Sequence, residues 1–179
     1  RLDLTAWALR RRPENLMDWW DGKSYRRVLA IDGDAVRITV TQSGGKATPQ
    51  LYVDAMAARR GAPKKAQIAA TIERLLGTCV DLRPFYRFAV GEPRLHQLAA
   101  RFRGVKPPRF PTVFEGVING IACQQLSLAV GITLLNRLSA ACGLSFPDAD
   151  GAQYAFPRPV DLAAMNIEDL LPLGFSRNK

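Results

Sequence analysis

Gln124-Gln125, followed by Leu126 and the hydroxyl of Ser127, places two amide side chains together inside an otherwise strongly apolar stretch. Each glutamine carries two donors and an acceptor on a flexible stem, so the pair can hydrogen-bond polar edges of another molecule or fill space beside it. The plain alternative is a capped turn between two helices, with Ser127 as the N-cap of the second.

Other catalytic signatures are missing. The only histidine, His96, falls mid-helix beside Gln97 without a recognisable partner, which suits a structural or solvent-facing role. No GxSxG, HExxH or P-loop pattern occurs. Asp148 and Asp150 are close in sequence but lie in a Pro/Gly-rich loop, where acids commonly bind their own backbone amides. Cys79, Cys123 and Cys142 are odd in number and widely spaced, which suggests neither a disulfide framework nor a zinc site and fits a reducing, cytosolic compartment. A general acid–base pair of Asp148 and Asp150 is the less favoured reading of their Pro/Gly-rich loop.

The charge is more directive. Lys and Arg number 25 against 16 Asp and Glu, a net +9 with a pI of about 10.0, so a polyanion such as nucleic acid is the first partner to consider. Residues 83–109 alone hold Arg83, Arg87, Arg94, Arg101, Arg103, Lys106 and Arg109 against one acid. Six of these seven are arginines, suited to bidentate phosphate contact, with a solvated helix face as the alternative. Arg10-Arg11-Arg12, Arg59-Arg60 and Lys64-Lys65 read mainly as surface clusters. An anionic membrane surface is the competing polyanion, but the basic residues are spread over several elements instead of along one amphipathic helix. The longest nearly apolar run, Leu126 to Leu135, is far short of the ~20 residues of a membrane span.

These groups must be held by an α+β scaffold. Tyr25 to Ile31 and Ala35 to Gln42 are β-rich, with Asp32-Gly33 as a hairpin turn between them. Ser43-Gly44-Gly45 leads to Leu51–Val53, giving a small antiparallel sheet over roughly 25–53 with one polar face. A covering helix follows, with Pro63 in its first turn, Ile68, Ile72, Leu75 and Leu76 on one face, and Gly77 at its end. After Gly77 the pattern becomes wholly helical. Leu95, Leu98, Ala99 and Phe102 form one apolar stripe. Thr112-Val113-Phe114-Glu115 forms a capping box, before a buried stripe of Val113, Phe114, Val117, Ile118 and Ile121. Ser127–Cys142 is a helix carrying Val130, Leu134, Leu135 and Leu138 and stopping at Gly143, and Asn166 starts another. The expected domains are 1–80, sheet plus helix, and 81–179, an incomplete all-helical unit. The opening at Arg1 and the helix-like start at Ser176-Arg177-Asn178-Lys179 read as those of a fragment.

The segment Phe114 to Leu138, FEGVINGIACQQLSLAVGITLLNRL, resembles the core helices of the alkylation-repair DNA glycosylases of the helix-hairpin-helix superfamily, especially the 3-methyladenine DNA glycosylase II type. Tyr25-Arg26-Arg27-Val28 with its meander is similar to that family's amino-terminal domain, and Phe156-Pro157 with Leu162-Ala163 to Leu173-Gly174 to a later helical segment. The resemblance implies hydrolysis of the N-glycosidic bond of alkylated bases in double-stranded DNA, without cofactor or obligate protein partner. It implies that the Gln124-Gln125 junction enters the minor groove, Gln125 filling the gap left by a flipped nucleotide, while Gln124 and Ser127 brace the loop. Gln124, Gln125, Ser127 and Arg109 are the expected DNA-binding residues. Aromatic side chains would stack on the base, and Trp7, Trp19, Trp20, Tyr86 and Phe110 are candidates. The family's glycine-rich hairpin and catalytic aspartate are absent from these residues and are expected beyond Lys179, so the chain alone should be inactive. The alternative is a non-catalytic DNA-binding or scaffold module.

Overall fold

The computed structural model describes residues 1–45, 48–59, 64–149 and 151–177. Arg60, Pro63, Asp150, Asn178 and Lys179, each part of an expectation above, lie outside them.

Helix α1 (Leu2–Arg10) precedes a four-stranded antiparallel sheet whose strands lie in chain order, β1 (Trp19–Trp20), β2 (Ser24–Ile31), β3 (Asp34–Ser43) and β4 (Gln50–Ala57). Asp32 and Gly33 take φ values of 50° and 79°, and Ile31 pairs with Asp34. Such a left-handed two-residue turn matches the right-handed twist of the flanking strands, as the Asp-Gly pair predicts. Strand β4 continues past Val53 to Ala57, because Asp54 and Met56 stay in register with Thr39 and Arg37 and the ladder outlasts the apolar run.

Side-chain alternation puts Tyr25, Leu29, Ile31, Val36, Ile38 and Val40 on one face. Leu2, Ala6 and Leu9 of α1, with Ile68, Ile72, Leu75 and Leu76 of α2 (Lys65–Leu76), cover it. Gly77 ends α2 at φ 62°, as expected. The opposite face is less polar than its alternation suggests. Val28 and Ala35 pack under Phe146 and Ala155 of a short hairpin, β5 (Ser145–Phe146) and β6 (Gln153–Tyr154). That hairpin corrects the wholly helical reading of the second part. Its loop is pinned by Asp148, which caps its own turn at Ala149 (3.0 Å) and pairs with Arg37 of β3 (2.9 Å), so the acid is a turn residue as expected.

The remaining elements are α3 (Arg83–Val90), α4 (Pro93–Arg101), α5 (Val113–Cys123), α6 (Leu128–Cys142), α7 (Pro159–Ala163) and α8 (Ile167–Leu170) with a 3₁₀ turn after it. Ala122, Leu134, Leu135, Leu138, Phe156 and Phe175 form their core, joined by Met17 from the segment before the sheet. The stripe expected on α4 is largely open. Ala99 is buried, but Leu98 and Phe102 are exposed, since α3 and α4 pack mainly on each other.

On α5 the expected capping box forms by half. Thr112 Oγ1 accepts the Glu115 N–H at 3.1 Å, but the Glu115 carboxylate turns inward to the guanidinium of Arg27 on β2. This rotates the helix. Glu115, Asn119 and Ala122 are its buried residues, while Val113 and Val117, expected inside, are exposed. Val130 of α6 is also exposed, whereas Leu134, Leu135 and Leu138 are buried as expected.

Among the described residues Arg27 is the only basic one with a buried side chain, and it meets two carboxylates, Glu115 and Asp18, the latter at 2.7 Å. Tyr25 Oη donates to Asp18 at 2.5 Å, and Asn15 Nδ2 donates to it at 3.2 Å. Burial opposes the charge on Arg27, yet Asp18 and Glu115 outweigh it and raise the guanidinium's pKa well above its ordinary value. Burial pushes the Glu115 carboxyl upward, with the opposing pull of Arg27 smaller.

Removing the cation strands two carboxylates in the interior, and breaking a buried pair from one side typically costs 3–5 kcal/mol. Arg27→Met should therefore lower unfolding free energy by about 3–5 kcal/mol in urea titrations. Because the folded state holds the Glu115 proton more tightly than the unfolded chain does, its contribution is full below the ordinary value of 4.5 and lost as pH rises through the raised one. Glu115→Gln should flatten the fall in denaturation midpoint above pH 4.5, and an unchanged slope would assign that fall to other groups.

Candidate nucleic-acid interface

Helix α5 ends where Gln124 N–H reaches the Ile121 carbonyl at 3.3 Å, and Leu126 N–H closes the turn on Cys123 O at 3.4 Å. Between them Gln125 adopts φ 59°, one of three non-glycine residues with positive φ among those described. Ser127 Oγ then accepts the Val130 N–H at 3.4 Å, so the serine is the N-cap of α6, as expected. The reversal is tight because the two helices touch at a glycine: a Cβ on Gly131 would lie 2.5 Å from Cys123 Sγ. A glycine inside a helix can signal close approach of this kind.

Gln124, Gln125, Leu126 and Ser127 are all exposed, and Leu128 and Val130 expose 41% and 46% of their surface beside them. The tip is thus two amides flanked by aliphatic groups, a composition able to slide between stacked flat rings and hydrogen-bond what it uncovers. Val130 was grouped with the apolar stripe of α6 by its spacing, and Leu128 was not singled out from the sequence.

The structure brings Gln124, Gln125 and Ser127 into one loop but sets Arg109 apart from them. Arg109 is exposed and donates its backbone N–H to Leu75 O at 3.1 Å, at the end of α2 and before the start of α5. The eleven residues of α5, about 16 Å of helix, separate that end from the loop. Of the other basic residues in 83–109, Arg83 pairs with Asp81 at 2.9 Å, Lys106 donates to the Val80 carbonyl, and Arg103 lies over the Tyr86 ring at 4.6 Å. Arg87 and Arg94 are exposed. His96 is solvent-facing, one of the two roles expected for it.

The candidate stacking aromatics are dispersed. Trp7 is exposed on α1, Trp19 lies under Arg26 at 3.5 Å, and Trp20 packs on the sheet core. Tyr86 accepts the Gly104 N–H at 2.9 Å, and Phe110 packs over Gly116. Among the described residues no three His, Cys, Asp or Glu side chains are close enough to hold a metal ion, and no helix is long and apolar enough to cross a membrane. A groove of about 1120 Å³ runs between α2 and β4, lined by Leu51, Val53, Ile68, Ile72 and Leu76 among others, and none of the loop residues reaches it.

Left-handed backbone at a non-glycine residue costs on the order of 1–3 kcal/mol, and glycine relieves it at some entropic penalty. Gln125→Gly should accordingly raise unfolding free energy by about 1 kcal/mol in chemical denaturation, marking strain held at the loop. A loss of stability would show that the Gln125 side chain contributes more than its backbone costs.

No family model matches the sequence. The chain is 28% identical over 116 residues to a DNA-3-methyladenine glycosylase of Bacillus subtilis (strain 168), an alignment covering 65% of this chain and 38% of that protein. Its fold superposes on a 3-methyladenine DNA glycosylase from Archaeoglobus fulgidus with a TM-score of 0.79 at 22% identity, over 99% of this chain and 60% of the other. An 8-oxoguanine glycosylase/lyase of Clostridium acetobutylicum, solved with double-stranded DNA, gives a TM-score of 0.65 at 13% identity over 90% of this chain and 51% of the other. The resemblance read from Phe114 to Leu138 is borne out, and the chain carries the α+β fold of the DNA glycosylases over roughly half the length of these relatives.

Proposed function

We propose that the chain serves DNA base-excision repair as the wedge-bearing part of a glycosylase of the helix-hairpin-helix type, acting in the cytoplasm on alkylated bases such as 3-methyladenine. The observation that carries this reading is the exposed Gln125, held at φ 59° where α5 and α6 cross within a glycosylase fold. Residues 1–80 form its sheet domain and 81–179 its helical part. Gln124-Gln125 enters the minor groove, Gln125 filling the space of a nucleotide swung out of the stack, while Ser127 braces the loop and Arg109 contacts phosphate farther along. A base cannot be cut from its sugar inside the stack, and a wedge recovers part of the unstacking energy of a few kcal/mol.

The reaction is hydrolysis of the N-glycosidic bond. A positively charged alkylated base leaves readily, and an aspartate stabilises the cationic sugar as it forms. That aspartate is not assigned to any residue here. The helices flanking the loop contain one carboxylate, Glu115, which lies at the far end of α5 and is engaged by Arg27. The chain itself is thus read as binding DNA without excising, the property it shares with a purely non-catalytic module.

The deciding measurement is release of 3-methyladenine from alkylated duplex by the product of the complete gene, with the 179-residue chain as a comparison. Release by the former and none by the latter supports the glycosylase, and no release from a well-folded complete product supports the non-catalytic module. In the complete product, Gln125→Ala should lower excision more than it lowers nonspecific duplex binding, since phosphate contacts supply the latter and give it a steep salt dependence. Equal losses would remove the wedge role.

A further inference from the structure

The two helices that meet at the Gln124–Ser127 loop are both tied to one short segment outside the helical part, residues 11–18. On α5, Asn119 Oδ1 accepts from Arg11 Nη2 at 2.9 Å, and Asn119 Nδ2 donates to Glu115 O at 3.1 Å. On α6, Asn136 makes a two-way contact: Nδ2 donates to Glu14 O at 2.7 Å and Oδ1 accepts from Leu16 N–H at 3.1 Å. Met17 is buried in the helical core with Ala122 of α5 and Leu134, Leu135 and Leu138 of α6, and Ser139 Oγ of α6 contacts its sulfur at 3.3 Å. Asp18 then joins the same segment to Arg27 of the sheet.

The segment is shaped for this. Arg11 takes φ 58°, a left-handed conformation that turns the chain out of α1. Asn15 Oδ1 accepts the N–H groups of Met17 and Asp18 at 3.0 and 3.3 Å, bending the backbone so that residues 14 and 16 present a carbonyl and an amide to α6.

We propose that residues 11–18 are a clasp whose function is to position the wedge: Arg11 and the Glu14–Leu16 backbone, acting on Asn119 and Asn136, fix α5 and α6 relative to the sheet and so set how far Gln125 projects. This rests on the wedge reading above. Arg11, Asn119 and Asn136 are positioning residues, and none of them needs to touch DNA. The helix crossing at Gly131 sets the angle between α5 and α6, whereas the clasp sets their common placement on the sheet. A loosened clasp leaves the phosphate-contacting surface in place and lets the loop retreat.

The test uses the 179-residue chain and a duplex carrying 2-aminopurine, whose emission rises when it is unstacked, with duplex affinity and thermal midpoint measured in parallel. Arg11→Ala with Asn136→Ala should keep duplex affinity within about twofold but cut the emission gain by about fivefold or more, the effect of losing hydrogen bonds of ordinary strength. Asn136→Ala alone is the milder companion, removing the two contacts on α6 while keeping the Arg11–Asn119 bond, and should give a smaller loss of the same kind. An unchanged gain in both variants overturns the clasp, as does a loss of affinity in proportion to the gain, which would mean a purely structural role. Should the double variant fail to fold, Asn136→Ala alone decides by the same two readouts. Absence of any emission gain from the unmodified chain on a bound duplex would overturn the wedge reading itself, and with it the premise of the clasp.

Discussion

The fold turns on the buried cation of Arg27. It sits on the face of β2 that otherwise carries Tyr25, Leu29 and Ile31, and an unpaired guanidinium there would be prohibitive. Its partners come from two other places in the chain, Asp18 before the sheet and Glu115 on the first turn of α5. The sheet and the helical part therefore cannot be separated without stranding charge in an apolar interior, and the helix that leads to the loop enters at an orientation the ion cluster dictates. A hydrophobic contact would tolerate sliding, while a carboxylate held by a guanidinium does not.

The same cluster explains the exposed aliphatic face. Turning Glu115 inward rolls α5 so that Asn119 and Ala122 follow it inside, and Val113 and Val117 come to the surface. At the far end of α5 the chain reverses within Gln124–Ser127, with Cys123 against Gly131 and Gln125 in left-handed backbone. Glycine would be the relaxed choice at that position. A long amide there is a departure from local preference, and such departures gather where a side chain has work outside the fold.

Much of the architecture was legible because local rules and tertiary packing agreed. Asp32-Gly33 demanded a left-handed turn and made the β2–β3 hairpin, Gly77 ended α2, and Ser127 capped α6. The misplaced apolar side chains of the helices share one cause. Val113, Val117, Leu98 and Phe102 were assigned to the interior on periodicity, which reports that a helix has an apolar face but not whether anything covers it. Glu115 was read as a capping residue because its spacing from Thr112 fits, and only the three-dimensional neighbour across the sheet, 88 residues away in sequence, diverted it. The β5–β6 hairpin was missed because each strand is two residues long, too short for any alternation to show.

By itself the sequence determined the class of scaffold, the excess of positive charge, and the identity of the four residues Gln124 to Ser127 that stand between two apolar helices, since each of these depends on residue type and near spacing. Tertiary structure decided what those residues can do. It set Gln125 at the exposed apex and placed Arg109 at the other end of α5, and it recruited Arg11, Glu14 and Leu16 to hold Asn119 and Asn136. The asparagine contacts join positions more than a hundred residues apart, and no local propensity encodes a contact between partners so distant in sequence.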